Sequence, residues 1–241
     1  MTSAGLADAQ ERLTDNYRAL AARGAADLVG ADAVDVLRWT DEHLVGNYVI
    51  ASSMKDAVLI HLAARVRSGV DVLFLDTGYH FTETIGTRDA VAATYDVNII
   101  NVRPEYSVDE QDSRLGKDLF GRDPDICCRL RKVQPLGRML RGYCGWVTGL
   151  RRTDSPGRAQ TPVIAFDERF GIVKVNPLAA WTDDDLDSYI EEFGILVNPL
   201  VHEGYPSIGC APCTSRPSSA LDLRGGRWQG RGKSECGLHA S

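Results

Sequence analysis

The chain has 241 residues, of which 44% are hydrophobic and 25% are charged, and this composition suits one α/β domain with extra segments rather than a disordered chain. The formal net charge of −6 argues against a general nucleic-acid-binding protein, which is usually basic. No run of about 18 apolar residues is present, so no membrane span is expected. Residues 1–10 contain neither a basic n-region nor an apolar h-region, so we expect a cytoplasmic protein without a secretory signal.

The first half of the sequence alternates between helix-like and strand-like stretches. Continuous apolar runs are typical of central parallel strands, and longer amphipathic or Ala-rich stretches are typical of helices. The pattern predicts one or two helices over 6–29, a strand over 48–52, a helix over 56–66, a strand over 70–78, a helix over 83–95 and a strand over 97–102. This alternation predicts an open, mostly parallel twisted sheet with helices on both faces.

The second half adds shorter elements and a polar tail. Strands are predicted over 145–150, 162–166 and 171–175, and a helix is predicted to begin near Trp181, with Thr182 as its N-cap. Residues 215–234 are rich in Gly, Arg and Ser and poor in apolar residues. We therefore expect a single α/β domain over 1–214 and a mobile C-terminal tail over 215–241.

Small and hydroxyl residues follow two of the predicted strands. Ser52 and Ser53 come between a strand and a helix, and Thr77 and Gly78 end the next strand. In an open α/β sheet, ligands bind outside the carboxyl ends of the strands, and backbone N–H groups at a helix N-terminus attract anions. The pattern favours a nucleotide or anion site at this edge, although ordinary strand-end turns would use the same residues. The sequence lacks the GxxxxGK[ST] phosphate loop of kinases and GTPases.

A basic loop follows the predicted strand 145–150. The strand ends at Gly149 and would bring Arg151, Arg152 and Arg158 to the same edge of the sheet. Guanidinium groups grip phosphate and sulfate through paired hydrogen bonds. An anion would relieve the mutual repulsion of these arginines; a solvated loop is the simpler alternative.

Four of the six cysteines form two close pairs, Cys127 with Cys128 and Cys210 with Cys213. In a reducing compartment such pairs indicate metal ligands more often than disulfides. Four thiolates suit either zinc or an iron–sulfur cluster. Adjacent cysteines depart from the C-x2-4-C spacing of structural zinc sites, which favours a [4Fe–4S] cluster. The CxxC pair lacks the βαβ setting of a thioredoxin-like redox motif.

Three further residues stand out near these pairs and at the tail. Lys132 would return to the same helix face as Cys127 and Cys128 and could offset the charge of a cluster or reach the substrate; as an ordinary surface lysine it would need no explanation. Cys144 lies in an apolar run and is predicted to be a buried small hydrophobe. Cys236 lies in the tail sequence ECGLH beside a small glycine. His239 could lower the pKa of the Cys236 thiol, or it could simply be an exposed residue.

Taken together, these motifs resemble the APS and 3′-phospho-APS reductases, where APS is adenosine 5′-phosphosulfate. The resemblance rests on ECGLH, on the CC and CxxC pairs, on LDTGYHF and on TGLRR, and it extends from about Tyr48 to His239. The presence of both cysteine pairs resembles the APS branch of the family. The amino-acid sequence as a whole is similar to that of actinobacterial members. The family resemblance implies an adenine-nucleotide α-hydrolase-like fold. The segment from Ser52 to Asp56 departs from the SGGxDS form of the related ATP pyrophosphatases, which weakens any expectation of ATP cleavage.

The resemblance also implies roles for individual residues. Cys236 would be the nucleophile, with Lys132 and His239 as further catalytic residues. The cluster ligands would be Cys127, Cys128, Cys210 and Cys213. The substrate would be held by Ser52, Ser53, Thr77, Gly78, Gly149, Arg151, Arg158, Arg224 and Arg227.

The implied reaction is the reduction of APS to sulfite and AMP. The Cys236 thiolate would attack sulfur, and thioredoxin or a similar dithiol protein would release sulfite, because the tail has no second cysteine. The alternatives are a phospho-APS substrate, an ATP pyrophosphatase that thiolates RNA, and a zinc-containing nucleotide sensor. The sequence leaves open whether the chain forms a homo-oligomer.

Overall fold

The computed structural model describes residues 3–219, 222–233 and 235–239. Ten α-helices are assigned within this part of the chain. They are α1 (Ser3–Asp27), α2 (Ala33–His43), α3 (Val58–Val66), α4 (Thr82–Thr94), α5 (Val108–Leu115), α6 (Leu119–Arg122), α7 (Pro124–Cys128), α8 (Gln134–Leu140), α9 (Asp183–Phe193) and α10 (Pro199–His202). A π-helical turn over Arg129–Val133 joins α7 to α8. No helix among the described residues is long and apolar enough to cross a bilayer.

Six strands form one sheet in the described part of the chain. They are β1 (Tyr48–Ser52), β2 (Val70–Leu75), β3 (Val97–Val102), β4 (Gly145–Thr148), β5 (Ile164–Asp167) and β6 (Ile172–Val175). The spatial order is β3-β2-β1-β4-β6-β5, and only the β5–β6 pair among them is antiparallel. The order reverses direction on either side of β1, so the carboxyl ends of β1 and β4 lie at the topological switch point where such sheets bind ligands.

Side chains alternate between the two faces of the sheet and are covered by helices on both. Ile50 of β1 and Val147 of β4 belong to the larger core with residues of α2 and α3. Val49 and Trp146, the neighbouring positions, belong to a second core with Leu136 and others of α8. The predicted α/β sheet with helices on both faces is therefore confirmed.

Local sequence signals explain where several helices begin. Thr182 is the N-cap of α9. Its hydroxyl accepts a hydrogen bond from the Asp185 N–H, and its own backbone N–H donates to the Asp185 carboxylate. The N-cap predicted at Thr182 from the sequence is confirmed, and the contact with Asp185 makes it a capping box. The π-helical turn lies directly before Gln134 and Pro135, where proline has no N–H to donate to the preceding turn. Such turns are frequent at functional sites.

The predicted elements match the observed ones with small differences at their ends. The strand expected over 70–78 ends at Leu75, because Asp76 to Gly78 turn away from the sheet. The tail differs more. Its described residues pack on the domain, with Thr214 bridged to Arg227 and Trp228 2% exposed. The structure shows this docked position of the tail; its mobility remains a prediction.

Candidate functional site

A cavity of about 280 Å³ opens at the carboxyl edge of β1, β2 and β4. Its walls come from the turns after these strands, from the π-helical turn and from the C-terminal tail. They include eleven of the residues expected at the site, namely Ser52, Ser53, Thr77, Lys132, Gly149, Arg151, Arg158, Arg224, Arg227, Cys236 and His239. Residues more than 180 positions apart in sequence therefore meet at one sheet edge, as the parallel topology predicts.

The turn after β1 is shaped by a residue in a conformation that favours glycine. Met54 has a φ of 59° and is fully buried. The Ser52 hydroxyl accepts a hydrogen bond from the Met54 N–H at 3.1 Å, and the Asn198 amide donates to the Met54 carbonyl at 3.1 Å. These contacts hold Ser52 and Ser53 at the mouth of the cavity. Asn198 was not predicted to have this role, because it lies 144 positions away.

Gly78 is not among the residues that line the cavity, and its expected contact with the substrate stays a prediction. It has a φ of 74°, and a β-carbon there would lie 3.0 Å from the Arg131 guanidinium. Arg131 itself donates from Nε to the Thr77 carbonyl at 2.5 Å and from Nη1 to the Gln111 side chain at 3.0 Å. Gly78 thus makes room for a buried arginine behind the site, while Thr77 faces the cavity.

The three arginines of the loop after β4 have different surroundings. Arg151 is 3% exposed, and its guanidinium donates to the Thr182 carbonyl at 2.9 Å and to Asp183 at 2.7 Å. It also contacts Asp154 at 3.2 Å. With its donors occupied by protein acceptors, Arg151 has a structural position at the cavity wall rather than that of a substrate ligand. Arg152 donates to the Thr161 carbonyl and does not line the cavity.

Arg158 instead faces the tail. Its Nε and Nη2 donate to the two carboxylate oxygens of Glu235 at 3.0 and 2.9 Å. Arg224 donates to one of the same oxygens at 3.1 Å. A carboxylate held by two guanidinium groups in a cavity stands where an anionic ligand would bind. Glu235 was not among the residues predicted for the site, although it directly precedes Cys236.

Arg227 and Trp228 are neighbours on the wall of this cavity, and Trp228 also lines a smaller one. The Arg227 guanidinium lies 4.6 Å from the centre of the Trp228 ring, and its Nε is buried without a hydrogen-bond partner among the described residues. The Trp228 indole nitrogen is likewise buried and without such a partner there. Trp228 has a φ of 47°. Unpaired buried donors are rare and indicate a missing acceptor.

The four paired cysteines surround the smaller cavity, together with Trp228 and Lys132. All four are buried. All four residues therefore border one small enclosed space. Burial, followed by the neighbouring thiols, raises the pKa of Cys127 to about 12. These sulfurs could jointly ionise only beside a positively charged group.

Lys132 lines both cavities and connects the cysteine group to the cationic site. Burial lowers the pKa of its ammonium, but the surrounding Cys210, Cys236 and Cys128 outweigh this and leave the pKa raised. Lys132 is therefore a cation at neutral pH. The Thr77 hydroxyl lies 3.3 Å from the Cys210 sulfur, so the same residue faces the main cavity and supports a cysteine.

His239 is neither exposed nor charged. Its ring stacks on Trp146 at a centroid distance of 5.5 Å and an interplanar angle of 8°, and its Nδ1 is buried. Burial first, and then the cations Lys174, Arg158, Arg169 and Arg224, lower its pKa well below the usual value. A neutral imidazole cannot supply positive charge beside the Cys236 thiol.

Cys144 lies apart from the site and is not the fully buried hydrophobe that was expected. It is half-buried, and its sulfur accepts hydrogen bonds from the Tyr17 hydroxyl at 2.8 Å and from the Asn47 amide at 3.1 Å. An apolar run predicts burial but not polar partners from distant segments.

The sheet order and the cationic cavity at its switch point define an α/β protein of the nucleotide-binding class. Solved structures agree. The phosphoadenylyl-sulfate reductase of Candida auris, determined as a phosphate complex, matches with a TM-score of 0.70 and 28% identity over 81% of this chain and 96% of that one. An FMN adenylyltransferase of Candida glabrata shares the fold, with a TM-score of 0.58 and 12% identity over 87% of this chain and 74% of that one.

Sequence comparison gives the family. The model of the phosphoadenosine phosphosulfate reductase domain matches residues 47–216, and the chain belongs to this family. Curated relatives include the adenosine 5′-phosphosulfate reductases of Mycobacteroides abscessus, 66% identical over 94% of this chain and 96% of the relative, and of Mycolicibacterium smegmatis, 63% identical over 98% and 100%. The Mycobacterium tuberculosis relative is 62% identical over 95% and 98%. The family resemblance stated from the sequence is confirmed.

Proposed function

We propose that this protein is an oxidoreductase that reduces adenosine 5′-phosphosulfate to sulfite and AMP. The observation that carries the proposal is the position of Cys236 on the wall of a cavity that also contains Arg158, Arg224, Arg227 and Lys132. A thiol beside four cationic side chains suits attack on a doubly anionic phosphosulfate. The names of the curated relatives support the same substrate.

The first step is a displacement at sulfur. The Cys236 thiolate attacks the sulfate sulfur of APS, an S–S bond forms, and the bond from sulfur to the phosphate oxygen breaks. AMP leaves with that electron pair, and Cys236 becomes an S-sulfonate. Arg158, Arg224 and Lys132 neutralise the substrate, which would otherwise repel a thiolate, and stabilise the charge that develops on the leaving oxygen.

The second step is proposed to use a dithiol from another molecule, because Cys236 is the one cysteine among the described residues that line the main cavity. A thiolate of the dithiol attacks the Cys236 sulfur, and sulfite leaves with the electron pair of the S–S bond. The second thiol of the dithiol then attacks the mixed disulfide and returns Cys236 as a thiolate. The dithiol is oxidised by two electrons, which are the electrons gained by sulfite. Thioredoxin in the cytoplasm is the reductant that we propose.

The four cysteines around the smaller cavity are proposed to hold a [4Fe–4S] cluster. Thiols arranged around a space suit a cluster, because each of its irons takes one thiolate. Two observations support a buried anionic group there. The Trp228 indole N–H is an unused donor within the described residues, and the buried Arg131 side chain hydrogen-bonds to uncharged acceptors.

When bound, the cluster would add a fixed negative field beside Lys132, and the two electrons for sulfite would still come from thiols. Lys132 faces both cavities. Its ammonium would be held between the cysteine ligands and the substrate, where it remains protonated and aims positive charge at the phosphosulfate. Iron and acid-labile sulfide analysis of anaerobically purified protein, with its absorption spectrum, tests this assignment; colourless protein with stoichiometric zinc would contradict it.

The decisive experiment follows the sulfur. Anaerobic protein is incubated with APS labelled with sulfur-35 in the absence of reductant, and the label is located by peptide mapping. We expect label on the peptide that contains Cys236, no label in Cys236→Ser, and normal labelling in Cys144→Ser, whose sulfur lies outside the cavity. Reductant should release the label as sulfite. A labelled Cys236→Ser protein would disprove the nucleophile.

The same assay decides the substrate. The family model and the fungal neighbour are named for the 3′-phosphorylated nucleotide, so labelled APS and labelled phospho-APS should be compared at equal concentration. We expect APS to label Cys236 faster. Faster labelling by phospho-APS would keep the mechanism and change the substrate.

A further inference from the structure

The turn between β5 and β6 holds the end of the tail. Arg169 lies in this turn, and its two terminal nitrogens donate to successive tail carbonyls. Nη1 reaches the Gly237 oxygen at 2.7 Å, and Nη2 reaches the Leu238 oxygen at 2.6 Å. The planar guanidinium can bond two acceptors at once, which a lysine ammonium cannot do with the same geometry.

The position of Arg169 is itself fixed by its neighbours. Its backbone N–H donates to the Asp167 carboxylate at 3.1 Å, its Nε lies 3.6 Å from the same carboxylate oxygen, and its guanidinium lies 5.0 Å from the centre of the Phe170 ring. Asp167 is 8% exposed. An arginine prepared in this way loses little further freedom when the tail docks.

The two carbonyls that Arg169 contacts directly follow Cys236. Gly237 has a φ of 80°, so the chain turns sharply there. Leu238 then packs on the core around Trp146 and Leu136, and His239 stacks on Trp146. Arg169 therefore fixes the backbone on the C-terminal side of Cys236, and this sets the direction of the Cys236 side chain.

The contacts on the other side of Cys236 are of a different kind. Glu235 binds Arg158 and Arg224, which are the cations that an anionic substrate needs. A substrate that takes these arginines displaces Glu235 and removes that attachment of the tail. Arg169 does not line the cavity, and it binds uncharged carbonyls, so its contacts with the tail survive the arrival of the substrate.

We infer that Arg169 is a positioning residue, which keeps Cys236 directed into the cationic cavity after the substrate has displaced Glu235. This inference rests on the proposed function, in which Cys236 is the nucleophile. Arg169 touches neither the substrate cavity nor the cysteine group. Its effect is on the orientation of the attacking sulfur and not on the affinity for the nucleotide.

The first test measures tail docking without any substrate. The rate at which iodoacetamide alkylates Cys236 is followed by mass spectrometry of the Cys236 peptide. Arg169→Met keeps the aliphatic stem and removes both hydrogen bonds, so we expect alkylation to be faster by roughly tenfold. Arg18→Met is the matched control, because Arg18 binds Glu168 of the same turn at 3.0 Å and does not contact the described part of the tail. It should alkylate at the wild-type rate.

The second test measures the presentation of Cys236 to substrate. Single-turnover labelling with saturating APS should be slower by about tenfold or more in Arg169→Met, with an unchanged Kd for APS. Arg169→Lys keeps the charge and should lie between Met and wild type. If Arg169→Met alkylates and labels at the wild-type rates, the inference is wrong; a weakened Kd with unchanged single-turnover rate would also overturn it.

The two tests separate this inference from the proposed function. If wild-type Cys236 takes no label from APS, the proposed nucleophile fails, while the alkylation rates still decide whether Arg169 holds the tail. Circular dichroism shows whether Arg169→Met is folded. If it is unfolded, Arg169→Lys replaces it in both tests, because lysine keeps the positive charge but cannot bond both carbonyls in the same geometry.

Discussion

Glu235 binds Arg158 through both of its carboxylate oxygens, at 3.0 and 2.9 Å, and thereby occupies the cationic part of the cavity with an acid from the chain itself. The pair is partly enclosed, with side-chain exposures of 14% for Arg158 and 35% for Glu235. Because Glu235 precedes the proposed nucleophile, the acid that leaves the arginines and the sulfur that attacks belong to the same segment. In the proposed mechanism, substrate binding and tail position are therefore linked.

The first prediction concerns that competition. Glu235→Gln removes the negative charge, so APS should bind without displacing an ion pair. We expect a Kd for APS that is lower by roughly fivefold, or about 1 kcal/mol for a pair that is partly exposed to solvent. Calorimetry in a Cys236→Ser background avoids turnover. Glu203→Gln, at a surface contact with Arg216, should leave the Kd unchanged, and weaker binding by Glu235→Gln would show that the acid helps to bind substrate.

The second prediction separates the arginines of the loop after β4. Arg151→Met removes the buried guanidinium that bonds to Asp183, Asp154 and the Thr182 carbonyl, so we expect a loss of about 1 to 2 kcal/mol in the free energy of unfolding. Arg158→Met should instead weaken APS binding by about tenfold or more, with a smaller loss of stability. Urea denaturation and calorimetry measure the two quantities. A Kd in Arg151→Met that rises as much as in Arg158→Met would restore Arg151 as a substrate ligand.

The contrast between these two arginines shows what the sequence could predict. Strand patterns and the parallel topology placed both residues at the correct edge of the sheet. Their partners could not be inferred, because Asp183 lies 32 positions from Arg151 and Glu235 lies 77 positions from Arg158. The helix cap at Thr182 was predictable because a capping box involves residues three positions apart.

The third prediction concerns His239. Its ring stacks on Trp146 and its pKa is well below the usual value, so the imidazole is neutral throughout the neutral range. We expect His239→Phe, which keeps an aromatic ring on Trp146, to label Cys236 within about twofold of wild type, while His239→Ala is slower by about tenfold. The labelling rates of wild type and His239→Phe should follow the same pH dependence between pH 6 and 8. Equal defects in the Phe and Ala variants would instead indicate proton transfer by His239.

The fourth prediction concerns Lys174, whose ammonium lies 5.0 Å from the centre of the Trp146 ring. Burial, only partly offset by Asp167, lowers its pKa to about 8. Below this pH, Lys174 is charged in both states and the folded protein carries the cost of burying it. As the pH rises from about 8 towards the unfolded value of about 10.5, the folded state releases its proton first and this cost disappears.

Lys174→Met should therefore be more stable than wild type at pH 7, by about 1 to 3 kcal/mol. The difference should shrink as the pH rises above 8. Lys174→Arg, which stays charged, should be less stable than Lys174→Met at every pH, and by a constant amount. Urea denaturation at a series of pH values measures all three proteins. An advantage of Lys174→Met that grows with pH would contradict the assignment.

Backbone conformation accounts for most of what the sequence did not reveal. Met54 and Trp228 adopt positive φ angles that nothing in their side chains favours, and both positions shape the cavities. The tail was expected to be a linker because its composition is polar. Composition cannot predict that Trp228 is buried against the cysteines, or that Arg231 donates to the Phe120 carbonyl at 2.6 Å.

Because Trp228 is buried, it limits how far the sulfur of Cys236 can move from the domain. If the chain beyond this indole is released while the indole stays in place, the segment that ends at Cys236 stretches to about 28 Å at most. A reducing partner must therefore bring its own thiol within that distance of the indole.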